Sequence, residues 1–157
     1  MPNNETEKQY SELRKKHKLP EFKETDFEFE ISDLEETNFL LRAIIRRMAE
    51  RLDFYTTMIE EILQPDTSNL YAMHEIRHFD DEEKKQMYEL YAKLMNLNRQ
   101  SIEISLSHSE KDEAEFISNV LGQWKNLKNE LLKLVKKMKE SWSTEESDIK
   151  EDLRYLG

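Results

Sequence analysis

From Leu41 to Ile62 one run of apolar residues falls at Leu41, Ile45, Met48, Leu52, Tyr55, Ile59 and Ile62, in strictly alternating steps of four and three. That seven-residue repeat draws one continuous stripe along a helix and scatters over both faces of a strand, so it constrains the fold class more than any other feature. Two further segments repeat it. Met87, Leu90, Leu94, Leu97, Ser101 and Ile104 make a second seam, widened by Tyr91, Met95 and Ile102. Ile117, Val120, Trp124, Leu127, Leu131, Leu134 and Met138 make a third.

Local chemistry punctuates these seams. Ser32 and Glu35 have capping-box spacing and are expected to open the first long helix, with Asn38 a polar position in its seam. Pro65 closes it, because the residue before a proline is disfavoured in α geometry. Asp80 with Glu83, and Ser109 with Asp112, are the expected caps of the second and third. Long helices are thus predicted over about 32–64, 81–107 and 111–141, with a short connecting helix at about 68–78. Short connections force neighbours to run antiparallel, so the expected fold is all-α, an antiparallel three-helix bundle.

The flanks carry different signals. Residues 26–31, DFEFEI, alternate with period two and predict an extended N-terminal arm over 20–31, lying along a bundle groove or pairing with a second subunit's arm. The expected organisation is a mobile tail at 1–19, a bundle domain at 20–142 including the arm, and a short C-terminal helix or tail at 143–157 through Ile149, Leu153 and Leu156.

Composition removes whole classes of function. Only Gly122 and Gly157 are glycine, whereas phosphate loops, dinucleotide fingerprints and nucleophile elbows need glycine where the backbone turns or approaches a ligand. No cysteine is present, so disulfides and thiolate sites are absent. Neither a signal-like apolar run nor a membrane-spanning one occurs, which predicts a soluble cytoplasmic protein with no membrane partner. The net charge of −10 disfavours nucleic acid unless the basic residues are segregated.

One short motif carries chemistry. HEIRH, residues 74–78, places His74 and His78 one helical turn apart with Glu75 beside the first, the spacing of two zinc ligands and a general base. Over these five residues the stretch resembles the zincin metalloproteases, which implies zinc, a third ligand from a downstream glutamate and a peptide-cleaving reaction. Glu89 and Glu103 are the downstream candidates, and Arg77 departs from the uncharged residues usual within the zincin motif. Glu75 to His78 is also half of a di-iron signature, but no second ExxH occurs. His17 and His108 are expected to be solvated.

The basic residues have ordinary explanations. Arg42, Arg46, Arg47 and Arg51 are expected to pair with acids on neighbouring helices, and the run RKKHK at 14–18 to be solvated. Lys125, Lys128, Lys133, Lys136, Lys137 and Lys139 complement the dipole near the end of the third helix. With apolar seams filling the interior, the leading expectation is a non-catalytic protein acting through protein–protein contact as scaffold, adaptor or regulatory subunit, with a protein partner or by self-association along a long helix as a homodimer. No catalytic, cofactor or metal residue is assigned in that reading. The competing readings are a zinc-dependent hydrolase using His74, His78 and Glu75, and a nucleic-acid-associated factor using the lysines of the third helix.

Overall fold

The computed structural model describes residues 4–35 and 38–143, and every described regular element is helical. In chain order these are α1 (Asn4–Lys16), α2 (Phe22–Phe29), a 3-10 turn (Ile31–Asp33), α3 (Leu40–Leu63), α4 (Leu70–Ile76), α5 (Asp81–Ser107) and α6 (Glu110–Ser141). The fold is all-α, and α3 packs against both α5 and α6. Two compact units divide the chain: Met1–Phe54 with Met95–Lys125, and Tyr55–Leu94 with Asn126–Gly157. The C-terminal stretch read as a short helix or tail lies beyond Ser143, outside the described residues.

The seams are the cores. In the first unit Leu41, Met48 and Leu52 of α3 are buried, as are Leu97 of α5 and Ile117, Val120 and Trp124 of α6. In the second, Ile59 and Ile62 of α3 are buried with Met87, Leu90 and Leu94 of α5 and Leu127, Leu131 and Leu134 of α6. Contacts in this second unit set direction: Glu83 meets Lys137 and Lys93 meets Glu130, one number rising as the other falls, so α5 and α6 run antiparallel. Ile102, expected to widen the α5 seam, is 47% exposed.

Two predicted caps form as read. The Asp80 carboxylate accepts from the Glu83 N–H at 2.7 Å and the Glu83 carboxylate from the Asp80 N–H at 3.1 Å, the reciprocal box that opens α5. Ser109 accepts from the Asp112 N–H at 3.2 Å ahead of α6. The third does not form: α3 begins at Leu40, not near Ser32, and Asn38 is exposed outside it. The Ser32 N–H is taken by the Asp26 carboxylate at 2.7 Å, which holds Ile31–Asp33 in a 3-10 turn.

The N-terminal flank differs most from expectation. Residues 4–16, read as a mobile tail, form α1, with Glu5 and Glu7 in the first turn and Arg14, Lys15 and Lys16 in the last, charges that suit the helix dipole at both ends. Its inner face is Thr6, Tyr10 and Leu13, and the Tyr10 ring is fully buried. The Tyr10 hydroxyl donates to the Pro20 carbonyl at 2.7 Å and lies 3.1 Å from the Thr25 hydroxyl. Burial raises the Tyr10 pKa, partly offset by that Thr25 contact.

Residues 22–29, read as an extended arm, form α2. Phe22, Thr25 and Phe29 then share a face at helical spacing, with Phe29 fully buried and Phe27 80% exposed. The helix wins over the period-two pattern because α3 supplies partners for its C-terminal carbonyls. Arg47 donates to the Glu30 carbonyl at 2.7 Å, and Arg51 to the Glu28 carbonyl at 3.0 Å and the Glu30 carboxylate at 2.8 Å. Glu30 takes the left-handed conformation (φ 52°) that ends such a helix, its N–H bonding the Asp26 carbonyl at 2.7 Å.

Candidate functional site

HEIRH begins on α4 in the second unit and runs past its end, with Arg77 and His78 in the turn that follows. Asn69 caps this helix, its side-chain oxygen accepting from the Ala72 N–H at 3.2 Å. The seven-residue helix is too short to persist without tertiary packing, and what it packs with is polar: His74 is 4% exposed and Glu75 6%. Buried groups of this kind must find partners.

His74 finds one at the end of α6. Its Nε2 donates to the Ser141 carbonyl at 2.8 Å. A helix leaves its last four carbonyls without intrahelical donors, and here all four are met. Ser141 Oγ donates to the Met138 carbonyl at 2.6 Å, the Trp142 N–H to that of Lys139 and the Ser143 N–H to that of Glu140, both at 3.1 Å. The imidazole is therefore a cap delivered from another helix, and the carbonyl acceptor requires the proton on Nε2.

The neighbouring groups are also engaged. His78 Nδ1 donates to the His74 carbonyl at 3.0 Å, one turn back along α4. The His74 ring stands 4.9 Å from that of His78 and 4.1 Å from the half-exposed Trp142 indole, tilted by 31°. Burial raises the Glu75 carboxyl above its ordinary pKa, while a hydrogen bond with the Trp142 side chain and the charge of His74 draw it partly back.

This geometry bears directly on the zinc reading. Both imidazoles come together as the spacing predicted, but a zincin-type ligand set needs His74 Nε2, the atom that caps α6. Among the described residues no group of three or more His, Cys, Asp or Glu side chains is arranged to hold a metal ion. Glu89 is exposed on α5, and Glu103 is an exposed residue of the first unit. The buried acid, the stacked rings and the committed nitrogen form a structural joint between α4 and α6. Sequence reading found His74, Glu75 and His78 but missed Ser141 and Trp142, which no local motif links to them.

Other expected site residues are placed as follows. Arg42 pairs with Glu113 at 3.2 Å and Arg47 with Asp33 at 3.2 Å, as anticipated for the α3 arginines. His17, expected to be solvated, meets the Glu110 carboxylate at 2.8 Å, and Arg14 donates to the Leu19 carbonyl at 3.2 Å. His108 is exposed. Lys137 bridges to Glu83 and lies 5.5 Å from the centre of the Phe79 ring, lining a cleft of about 340 Å³ between α5 and α6. Lys137 and the Asp80 N–H hold the Glu83 pKa below its ordinary value. Three carboxylates and two ammonium groups line this cleft, with no nucleophile beside a base.

The α6 lysines carry a pattern that was not read from the sequence. Positions four and seven residues to either side of Leu132 are all lysine: Lys125, Lys128, Lys136 and Lys139. Leu132 is 47% exposed and Val135 40%, so this line is separate from the filled seam of Leu127, Leu131 and Leu134. A four-and-seven spacing puts all these residues on one face of the helix.

Joint and line together define an all-α bundle protein whose one catalytic-looking motif is occupied in holding helices. No described helix is long and apolar enough to cross a membrane. The chain matches no family model, no curated protein and no solved structure.

Proposed function

We propose that the protein works without catalysis, by binding another protein chain as a scaffold, adaptor or regulatory subunit in the cytoplasm, with a homodimer along a long helix as its simplest form. The observation that carries this reading is the second apolar line on α6. Leu132 and Val135 remain substantially exposed although the α6 seam already fills the core of its unit. Surface apolar residues set in line on a stable helix favour a partner helix or groove. The occupied nitrogens of HEIRH support the same reading by giving that motif a structural use.

Sedimentation and native purification test it. A dimer or a stoichiometric partner complex is expected, dissociating on Leu132→Glu with Val135→Glu while helical circular dichroism is retained. A strict monomer with no stoichiometric partner would end the proposal.

A zinc-dependent hydrolase using His74, Glu75 and His78 is the second reading, favoured by the 4.9 Å approach of the two imidazoles. Stoichiometric zinc in untagged protein, lost on His78→Ala, would support it. Zinc-free, folded protein after purification in zinc-containing buffer would exclude it.

A further inference from the structure

We infer that the Leu132 line of α6 is a docking face for an acidic amphipathic helix of a partner protein. This rests on the protein-binding reading above and deepens it by naming the partner's chemistry.

The argument is one of charge and shape on a single helix. From Lys125 to Glu140 the chain has six lysines and two glutamates, a net charge of +4 on a protein of net charge −10. The two glutamates do little to quench it. Glu130 pairs with Lys93 of α5, and Lys137 is spent on Glu83. Lys125, Lys133, Lys136 and Lys139 are exposed, and no ion pair is found for them among the described residues. Like charges three or four residues apart, as in Lys133 with Lys136 and Lys137 or Lys136 with Lys139, destabilise an isolated helix, and an anionic partner relieves that repulsion.

The lysines surround apolar surface. Leu132 has lysines one turn and two turns away in both directions, and Val135 sits beside it. From Lys125 to Lys139 is roughly 21 Å along the helix, about four turns. A partner helix with leucines on one face and acids on its borders fits that pattern, apolar face to ridge and carboxylates to the exposed Lys125, Lys136 and Lys139. A phosphate backbone fits it less well. Nucleic acid is met by continuous cationic surface with stacking rings or groove-reading groups, and here two aliphatic side chains occupy the centre. An anionic bilayer asks for a broad apolar face, whereas the neighbouring Leu127, Leu131 and Leu134 of α6 are buried.

The test uses the full chain and a defined probe: a capped synthetic helix of about five turns, leucines along one face and glutamates on both borders. Its controls are the same peptide with lysine in place of glutamate, an oligodeoxythymidine and phosphatidylserine vesicles. The glutamate peptide should bind and the lysine peptide should not. Binding should fall about tenfold with Lys125, Lys136 and Lys139 all changed to Glu, and similarly with Leu132→Ser, the helical circular dichroism being unchanged. Those substitutions sit at exposed positions, so loss of binding with retained helicity reports the face itself.

Failure of the glutamate peptide to bind, equal binding of both peptides, or binding indifferent to the substitutions overturns the inference. Tighter binding of oligonucleotide or vesicles through the same lysines overturns it too, as does self-association abolished by Leu132→Ser, which would make a second copy the occupant. If the glutamate peptide fails while a stoichiometric complex still dissociates on Leu132→Glu with Val135→Glu, only the partner chemistry is wrong. If that complex is also missing, the protein-binding reading falls with it.

Discussion

Both units solve the same problem, the exposed carbonyls at a helix C-terminus, and they solve it with different chemistry. In the first unit α2 ends under Arg47 and Arg51, whose guanidinium groups reach the Glu28 and Glu30 carbonyls while remaining partly in water. In the second, α6 ends against the buried His74, whose Nε2 reaches the Ser141 carbonyl. A guanidinium keeps its charge and part of its hydration, so it works at the rim. An imidazole is planar, stacks on a ring and delivers a single N–H to one carbonyl, so it works inside. The apolar packing differs correspondingly: Phe29 and Trp124, ring centres 5.2 Å apart, seal the α2 end, whereas α4 is held largely by polar groups with rings stacked on them.

The largest effect expected from breaking this contrast is Phe29→Ala. Removing a fully buried ring should cost about 3–5 kcal/mol in chemical denaturation, with loss of the α2 packing. A cost below about 1 kcal/mol would mean that α2 contributes little to its unit.

His74→Ala comes next, at about 2–3 kcal/mol, because it strands the Ser141 carbonyl and removes the stack on Trp142. Thermal unfolding followed by Trp fluorescence would read it. A stability unchanged by this substitution would remove the capping role and reopen the motif to other uses.

Arg47→Ala should cost only about 1 kcal/mol, since its side chain is 24% exposed and water can replace part of what it donates. A loss equal to that at His74 would erase the distinction between rim and interior caps.

The smallest effect expected is opposite in sign at neutral pH. The native state holds a proton on Glu75 more tightly than the unfolded chain does, so stability should fall as pH rises from about 4.3, the ordinary glutamate value, through the raised native value. Glu75→Gln keeps the shape and removes the ionisation, so it should be more stable relative to the parent at pH 7 than at pH 4. Urea titrations at the two pH values give the comparison, and a parent-to-variant difference that does not change with pH would show the carboxyl to be solvated.

What could be read in advance divides along the same line. The seams Leu41 to Ile62, Met87 to Leu97 and Ile117 to Leu134 are periodic, and periodicity is a local property of the chain. The caps at Asp80 and Ser109 were legible for the same reason, each closing within three residues. The helices α1 and α2 were not, because their inner faces mix Thr6, Tyr10, Thr25 and Phe29, too few apolar residues to show a period. In α2 the alternation of Phe27, Phe29 and Ile31 pointed to an extended chain, and partners on α3, with Arg47 seventeen residues beyond Glu30, reversed it.

His74, Glu75 and His78 show the same division within one motif. Their spacing determined that two imidazoles and a carboxylate would share one end of α4, since a helix brings residues four apart together wherever it sits. Whether those groups face a metal, a substrate or a bare carbonyl depends on what lies across from them, and here that is Ser141, sixty-seven positions away. Repeat and spacing therefore determined the all-α class, the three seams and the pairing of the histidines. Only the tertiary structure decided the use of Nε2, the helicity of the N-terminal flank and the exposure of the Leu132 line, because each depends on which backbone groups and surfaces of distant segments are left unsatisfied until the chain folds.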